Sequence, residues 1–392
     1  MYREDIVELF NNYVIGNYTR SKLSVVKAKG SWVWSEDGKM YLDFFPGWAV
    51  SGLGHCHPRV VKAIRSQVNK VIHVPNNYYN ALQGKLAKSI SLNSFNGKVF
   101  FCNSGAEANE AAFKLIRLFG SPRRYEIISM RDSFHGRTLA CTAATGQDKL
   151  HLGIGPLPQG FKSVPFNDRQ ALVEAVTDKT AAVIIELIQG EGGIRVADRD
   201  YVTFLRDFCN QKNILLVFDE VQTGMGRTGQ MFCYQNYGIE PDIMTLAKSL
   251  GGGVPIGAMV TQKKISGILV KGMHASTFGG SPFACAAGLA VFEAIKKERL
   301  LLNAQQMGDY LRGELLRLRS KYPVIKEVRG MGLMIGVELI VGAQKVADYC
   351  FSKKLLINCT QKKVLRIMPA LTVKKQEIDQ AMEILDTAIA KS

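Results

Sequence analysis

Apolar runs at 98–102, 125–130, 181–187, 214–218 and 242–247 recur between segments of helical spacing, and this alternation constrains the fold more than any other feature of the chain. Strands that alternate with helices build parallel sheets, because each parallel connection needs a crossover long enough to hold a helix, and the helices then cover both faces. A strand buried on both faces reads as a continuous apolar stretch, and Ile214-Leu215-Leu216-Val217-Phe218 is of that kind. The expected fold class is therefore α/β, with a large domain built on a mostly parallel sheet flanked by helices.

The two ends of the chain read differently. Residues 1–55 suggest a helix and then short strands, with the turn Ser35-Glu36-Asp37-Gly38 between Trp32-Val33-Trp34 and Met40-Tyr41-Leu42 as in a hairpin. After about residue 284 the pattern is helical from Ala284 to about Lys297 and from Leu301 to Ser320, followed by short strands near 325–329, 332–339 and 364–367. We expect 1–55 and 285–392 to pack together as a small α+β domain, leaving a cleft against a large domain over 56–284.

Composition narrows the class. With 392 residues of which 47% are hydrophobic, the chain can bury a large core. Its longest clean apolar stretch, around Ala181-Ala182-Val183-Ile184-Ile185, is far short of the ~18 residues of a membrane span. The opening Met1-Tyr2-Arg3-Glu4-Asp5 lacks the basic-then-apolar order of a secretion signal, so a cytoplasmic enzyme is expected. The 8 cysteines form no Cys-x-x-Cys pair, which suggests neither a disulfide framework nor a zinc site. The cluster His55-Cys56-His57 has its ligands adjacent in the chain and no second pair nearby, so no metal is expected. A net charge of +16 raises the question of nucleic acid, but the basic residues are dispersed in pairs such as Lys296-Lys297 and Lys353-Lys354, without an arginine stripe interleaved with aromatics. A solvated basic surface that attracts small anions is the better reading, with neither nucleic acid nor membrane as a partner.

Two residues at strand ends carry chemistry. The run 214–218 ends in Asp219-Glu220-Val221-Gln222, and the run 242–247 passes into Lys248-Ser249-Leu250-Gly251-Gly252-Gly253. Open α/β sheets place ligands at the carboxyl ends of their strands. A third element, Asn103-Ser104-Gly105-Ala106-Glu107, follows the strand at 98–102 and opens a segment of good helix formers, where free backbone N–H groups and a glycine make a cradle for an anion. An acid, a lysine and a phosphate-binding turn at one sheet edge are what pyridoxal 5'-phosphate chemistry requires.

Taken together, Asn103 to Glu110, Ser133-Phe134-His135-Gly136-Arg137-Thr138, Gln189-Gly190-Glu191-Gly192-Gly193, Phe218-Asp219-Glu220-Val221-Gln222-Thr223-Gly224 and Ala247-Lys248-Ser249-Leu250-Gly251 resemble the class III aminotransferases, nearly end to end. The resemblance implies fold type I of the pyridoxal-phosphate enzymes, with a sheet of the seven-stranded type. It implies Lys248 as the Schiff-base amine and proton shuttle, and Asp219 as the partner of the pyridine nitrogen. Gln222 is implied at the phenolic oxygen, Phe134 stacked on the ring, and Ser104, Gly105 and Ala106 at the phosphate. Thr277 matches a threonine that reaches the neighbouring subunit's phosphate, which implies a homodimer. Arg137 is implied for the donor's α-carboxylate, with Tyr18 as a candidate contact. Arg366 is implied for the carboxylate of glutamate or 2-oxoglutarate, with Glu191 as its counter-ion between turns. Glu186 matches a family acid near the cofactor.

Within the family, Phe134 to Ala140, Val221 to Gly229 and Ile357-Asn358-Cys359-Thr360 look most like the members that use N2-acetyl-ornithine as amino donor in arginine biosynthesis. Trp48 falls where an aromatic points instead to free ornithine. Succinyl-diaminopimelate and 4-aminobutyrate are further donors to weigh, and a non-catalytic scaffold of the same fold is the reading from a different class.

Overall fold

A computed structural model describes residues 6–391. Residues 1–5, on which the leader reading rests, and Ser392 lie outside the described residues. The large sheet has seven strands: β1 (Lys98–Cys102), β2 (Glu126–Met130), β3 (Phe161–Val164), β4 (Thr180–Ile185), β5 (Leu215–Asp219), β6 (Ile243–Leu246) and β7 (Gly257–Thr261). Their spatial order is β1-β7-β6-β5-β4-β2-β3. Neighbours from β6 to β3 run parallel, whereas β7 is antiparallel to both β6 and β1. The α/β class and the mostly parallel sheet are thus as expected, and every residue of β2, β4, β5, β6 and β7 is buried.

Two strands of the large sheet escaped the sequence reading, each for a physical reason. β3 is a short edge strand, Phe161-Lys162-Ser163-Val164, whose lysine reaches across to Glu126 at 2.7 Å and breaks the apolar run. β7 begins with Gly257, where a Cβ would lie 2.3 Å from the carbonyl oxygen of Ser104. The strand therefore gives up a side chain so that its backbone can press against the turn between β1 and the helix Gly105–Gly120.

At the ends of the chain, Trp32–Ser35 and Met40–Asp43 form the expected hairpin, with Val25–Lys29 beside it. The short strand Leu355–Leu356 adds to its other edge, parallel to Met40–Asp43. A second four-stranded sheet, antiparallel throughout, joins Ile325–Met331, Met334–Leu339, Val364–Ile367 and Asn358–Thr360. Helices Pro282–Lys297 and Leu300–Lys321 bridge the large sheet and this region; the first starts on Ser281, whose side chain caps the Ala284 N–H, with proline at the first turn.

Three backbones meet where these parts join. A Cβ on Gly308, inside the helix Leu300–Lys321, would lie 2.5 Å from the Gly332 backbone, and one on Gly332 would lie 2.7 Å from that of Thr228. Beside them the buried guanidinium of Arg227 donates to the carbonyl oxygens of Leu333 and Pro369, while the Arg227 carbonyl accepts from the Leu333 N–H at 3.1 Å. Burial without a carboxylate partner pushes Arg227 down to about 10. On an open helix Gly308→Ala would stabilise by about 0.5–1 kcal/mol. Here we expect it to destabilise by about 1–3 kcal/mol through overpacking against backbone that cannot move aside, seen as a lower urea midpoint at unchanged m-value.

Candidate active site

The parallel register of β5 and β6 sets Asp219 opposite Thr245, and the Glu220 N–H locks that register by donating to the Thr245 carbonyl at 3.0 Å. Lys248 follows β6 after Leu246 and Ala247, so amine and carboxylate emerge from adjacent strands at the same sheet edge. Lys248 adopts the left-handed region, φ +44°, a conformation costly for a residue with a Cβ and characteristic of functional turns. A cavity of about 420 Å³ opens over these strand ends and is lined by both side chains.

Asp219 is buried and prealigned. Its Oδ2 accepts from Asn109 Nδ2 at 2.9 Å and His135 Nδ1 at 2.8 Å, and its Oδ1 accepts from the Val221 N–H at 3.1 Å. Burial works against a charged His135, but the Asp219 hydrogen bond and charge outweigh it and shift the imidazole upward. Glu186 lies in the same wall, its two oxygens accepting from the Phe134 N–H at 3.0 Å and the Gly190 N–H at 3.2 Å. Burial, offset in part by His135, pushes Glu186 up to about 7. This acid therefore ties the Phe134 segment to the turn that carries Glu191.

Lys248 is pushed down to about 8, first by desolvation and next by the positive charge of Arg366, against the opposing pull of Glu191, Asp219 and Glu186. Arg366, on Val364–Ile367, is fully buried. Its Nη1 donates to Glu191 Oε1 at 2.6 Å and to the Gly190 carbonyl at 2.8 Å, while Nε and Nη2 donate to Asn358 Oδ1 at 3.1 and 2.8 Å. The rings of Phe45 and Trp48 lie 4.6 and 5.2 Å from its guanidinium carbon. Removing the anion from this buried ion pair would be strongly destabilising, and Glu191, which supplies it, remains 27% exposed.

Ser104, Gly105 and Ala106 also line the cavity. Ser104 caps the helix Gly105–Gly120, accepting from the Glu107 N–H at 3.2 Å, and Glu107 in turn accepts from the Asn103 N–H at 3.0 Å. The N–H groups of Gly105 and Ala106 sit at the first two helical positions, which have no acceptor within the helix. A Cβ on Gly105 would press on Val221 at 2.7 Å, so the glycine lets this turn approach the end of β5. Gln222 closes another side; its Oε1 has no partner among the described residues, and a Cβ on Gly190 would lie 2.0 Å from it. Arg137 is exposed and its guanidinium carbon sits 5.4 Å over the Phe134 ring, both in the cavity wall.

Not every candidate converges. Thr277 is exposed and lies outside the cavity. Tyr18 is 71% exposed, neither in the cavity nor packed in a core, with Arg20 5.7 Å from its ring. Trp48 is half exposed, with left-handed backbone at φ +60°, and meets the site only through Arg366. The two histidines at 55 and 57 turn to different carboxylates, Asp43 at 2.8 Å and Glu298 at 3.2 Å. Asn109 and His135, which orient Asp219, were quoted within motifs but given no role, because their partner lies far along the chain. For Asn109 the available signal was polarity on a helix face that otherwise reads as buried; His135 lies in a loop with no such signal.

An amine poised near neutrality, a buried oriented carboxylate and a free helix N-terminus define a site for carbonyl-amine chemistry on a group that carries a phosphate. The family model "Aminotransferase class-III" matches residues 14–389, and the chain belongs to that family. It is 51% identical over 392 residues to an acetylornithine aminotransferase of Methanocaldococcus jannaschii, covering 98% of each chain. It is 50% identical over 384 residues to one of Caldanaerobacter subterraneus, covering 97% of this chain and 98% of the other. Among solved structures, an ornithine aminotransferase from Toxoplasma gondii, with pyridoxal phosphate at partial occupancy in its active site, superposes with a TM-score of 0.94 at 32% identity, covering 98% of this chain and 94% of the other.

The electrostatics predict a measurable titration. In the cofactor-free protein, acylation of Lys248 by a small amine-directed reagent should rise through pH of about 8, because only the neutral amine reacts. Arg366→Ala should move the midpoint up and Glu191→Gln should move it down. A midpoint in the range of an exposed lysine, followed by mass spectrometry of the labelled peptide, would contradict this account.

Proposed function

We propose that this aminotransferase uses pyridoxal 5'-phosphate to move the distal amine of N2-acetyl-L-ornithine to 2-oxoglutarate, giving N-acetyl-L-glutamate 5-semialdehyde and L-glutamate in arginine biosynthesis. The observation that carries the reading is the pairing of Lys248 with Asp219 at adjacent strand ends in one cavity. The choice of donor is supported by the acetylornithine aminotransferases that share half their residues with this chain.

The residues present fit the cofactor. Gly105 and Ala106, with Ser104, would hold its phosphate, Asp219 would face the ring nitrogen, Phe134 would stack on the ring, and Gln222 would meet the phenolic oxygen. The Gln222 amide, which would donate to the phenolic oxygen through Nε2 and whose Oε1 has no partner among the described residues, and the open helix start are the kind of incompletely met polar groups a ligand completes. When bound, pyridoxal 5'-phosphate supplies an aldehyde for amines and a cationic ring that accepts the electron pair of a breaking C–H bond. Asp219, held by Asn109 and His135, keeps that ring nitrogen protonated. Lys248 Nζ, whose neutral form burial and Arg366 favour, takes the proton from the amine-bearing carbon of the substrate. Arg137 presents its guanidinium for the donor's α-carboxylate.

Arg366 and Glu191 let one pocket accept two kinds of substrate. A donor that brings no carboxylate to this position leaves the ion pair closed, and a 2-oxo diacid takes the place of Glu191 on Arg366. Trp48 beside Arg366 favours a second reading in which free ornithine is the donor.

The proposal includes a homodimer in which Thr277 serves the neighbouring site. Its support is an exposed apolar strip around Thr277: Phe278 is 62% exposed, its ring tilted against His73 at 5.3 Å, and Tyr78, Tyr79, Val270 and Met273 are exposed too. The division into a large unit over 56–284 and a small unit from 1–55 and 285–392 belongs to the same reading, supported by the pairing of Leu355–Leu356 with Met40–Asp43. So does a cytoplasmic location; among the described residues no helix is long and apolar enough to cross a membrane.

Reconstituted protein should show the visible absorption of a lysine-bound cofactor, lost in Lys248→Ala. Single-turnover rates should rank acetylornithine above ornithine, succinyl-diaminopimelate and 4-aminobutyrate, and a faster rate with ornithine would select the second reading. Arg366→Ala should slow the half-reaction with 2-oxoglutarate by about 100-fold, as loss of a bidentate charge contact does, and the donor half-reaction far less. Equal damage to both would remove the role given to Arg366.

A further inference from the structure

Glu191 sits in the turn of a small hairpin, Ile188–Gln189 against Arg195–Val196, closed by the Ile194 N–H donating to the Gln189 carbonyl at 2.9 Å. Its backbone is held in an unusual way. The carbonyl of Gly190 accepts from Arg366 Nη1 at 2.8 Å. The carbonyl of Glu191 accepts from Thr360 Oγ1 at 2.8 Å and Gln361 Nε2 at 3.0 Å. The carbonyl of Gly193 accepts both Nε and Nη2 of Arg329, at 3.0 and 2.7 Å. All four donors come from residues 329–366, the region that also carries Arg366. Arg329 is itself fixed, since its Nη1 meets Glu327 and Glu338, each at 2.6 Å, and its side chain is only 12% exposed. Gly193 has φ +93°, and a Cβ there would lie 3.3 Å from Arg329 Nη2, so the turn is shaped for this guanidinium.

We propose that Arg329 is a positioning residue for the exchange at Arg366: it anchors the Gly190–Gly193 turn to the C-terminal sheet, so that Glu191 opens by side-chain rotation alone. The inference rests on the reading of Glu191 as the displaceable counter-ion of Arg366. With the turn and Arg366 tied to one body, a shift of the C-terminal region against the large sheet carries both partners together and leaves their 2.6 Å contact intact. Without the anchor, the backbone under Glu191 is free to drift, and the closed pair loses population to the open one. Arg329 touches no substrate, and its effect is expected only through Glu191.

The test uses the holoenzyme and glutarate, a diacid that cannot be transaminated, with binding measured by calorimetry. Glu191→Gln should tighten glutarate about fivefold by removing the competing anion, and Arg329→Gln should tighten it about two- to threefold by loosening that anion, with the double variant no tighter than Glu191→Gln alone. Arg329→Lys keeps a charge for Glu327 and Glu338 but lacks the fork that grips the Gly193 carbonyl, so it should behave like Arg329→Gln. Its own measurement guards against a folding defect in the glutamine variant. If Arg329→Lys and Arg329→Gln leave glutarate affinity unchanged while Glu191→Gln alters it, or if their effect adds fully to that of Glu191→Gln, the anchoring role is wrong. If Glu191→Gln itself has no effect, the counter-ion reading fails first and the inference falls with it.

Discussion

The register between β5 and β6 is the constraint on which the site depends. Two strands buried on both faces have no freedom to slip, because a one-residue shift would turn each side chain to the opposite face. With Asp219 fixed opposite Thr245, the carboxylate and the lysine that follows β6 leave the sheet side by side. β7 reinforces the arrangement from the other side. Its antiparallel course brings Gly257 beneath Ser104, so the turn that opens the helix Gly105–Gly120 is pressed toward the same edge.

Electrostatics then become a problem of keeping several buried charges in balance. Asp219, Glu186 and Glu191 face Lys248, His135 and Arg366 in a small volume. Glu186 rises to about 7 because burial outweighs the help of His135, whereas Lys248 falls to about 8 because burial and Arg366 outweigh the nearby carboxylates. The result is an acid and an amine, Glu186 and Lys248, near their switching points at neutral pH, which suits proton movement. Arg366 is the charge least able to adjust, since a guanidinium does not shed its proton near neutrality. Its ion-pair partner, Glu191, keeps access to solvent.

Much of this was legible in the chain. β2, β4, β5 and β6 announce themselves as apolar runs because their burial leaves no polar alternation, β1 as the apolar stretch after Lys98, and the hairpin at Trp32 and Met40 is marked by its turn residues. Lys248, Asp219, Gly105 and Gln222 stand in motifs tied to strand ends, where local order and chemistry coincide. β3 and β7 were not legible, one because an edge strand tolerates Lys162, the other because Gly257 was spent on a close approach that only the third dimension reveals. Tyr18 was a plausible candidate by position in a motif, yet the chain carries it out to solvent.

By itself the sequence determined the alternating architecture, the lysine and acid placed at strand ends, and the family to which the chain belongs, because each is written in contiguous residues whose hydrophobic period or chemistry is local. Tertiary structure alone decided which groups act on those residues. Asn109 and His135 orient Asp219, Phe45 and Trp48 flank Arg366, and Arg329 reaches the Gly193 carbonyl across 136 positions of chain. Such contacts depend on distances between remote segments, and those are set only once the core has closed and buried charges must find whatever partners the packing brings within reach.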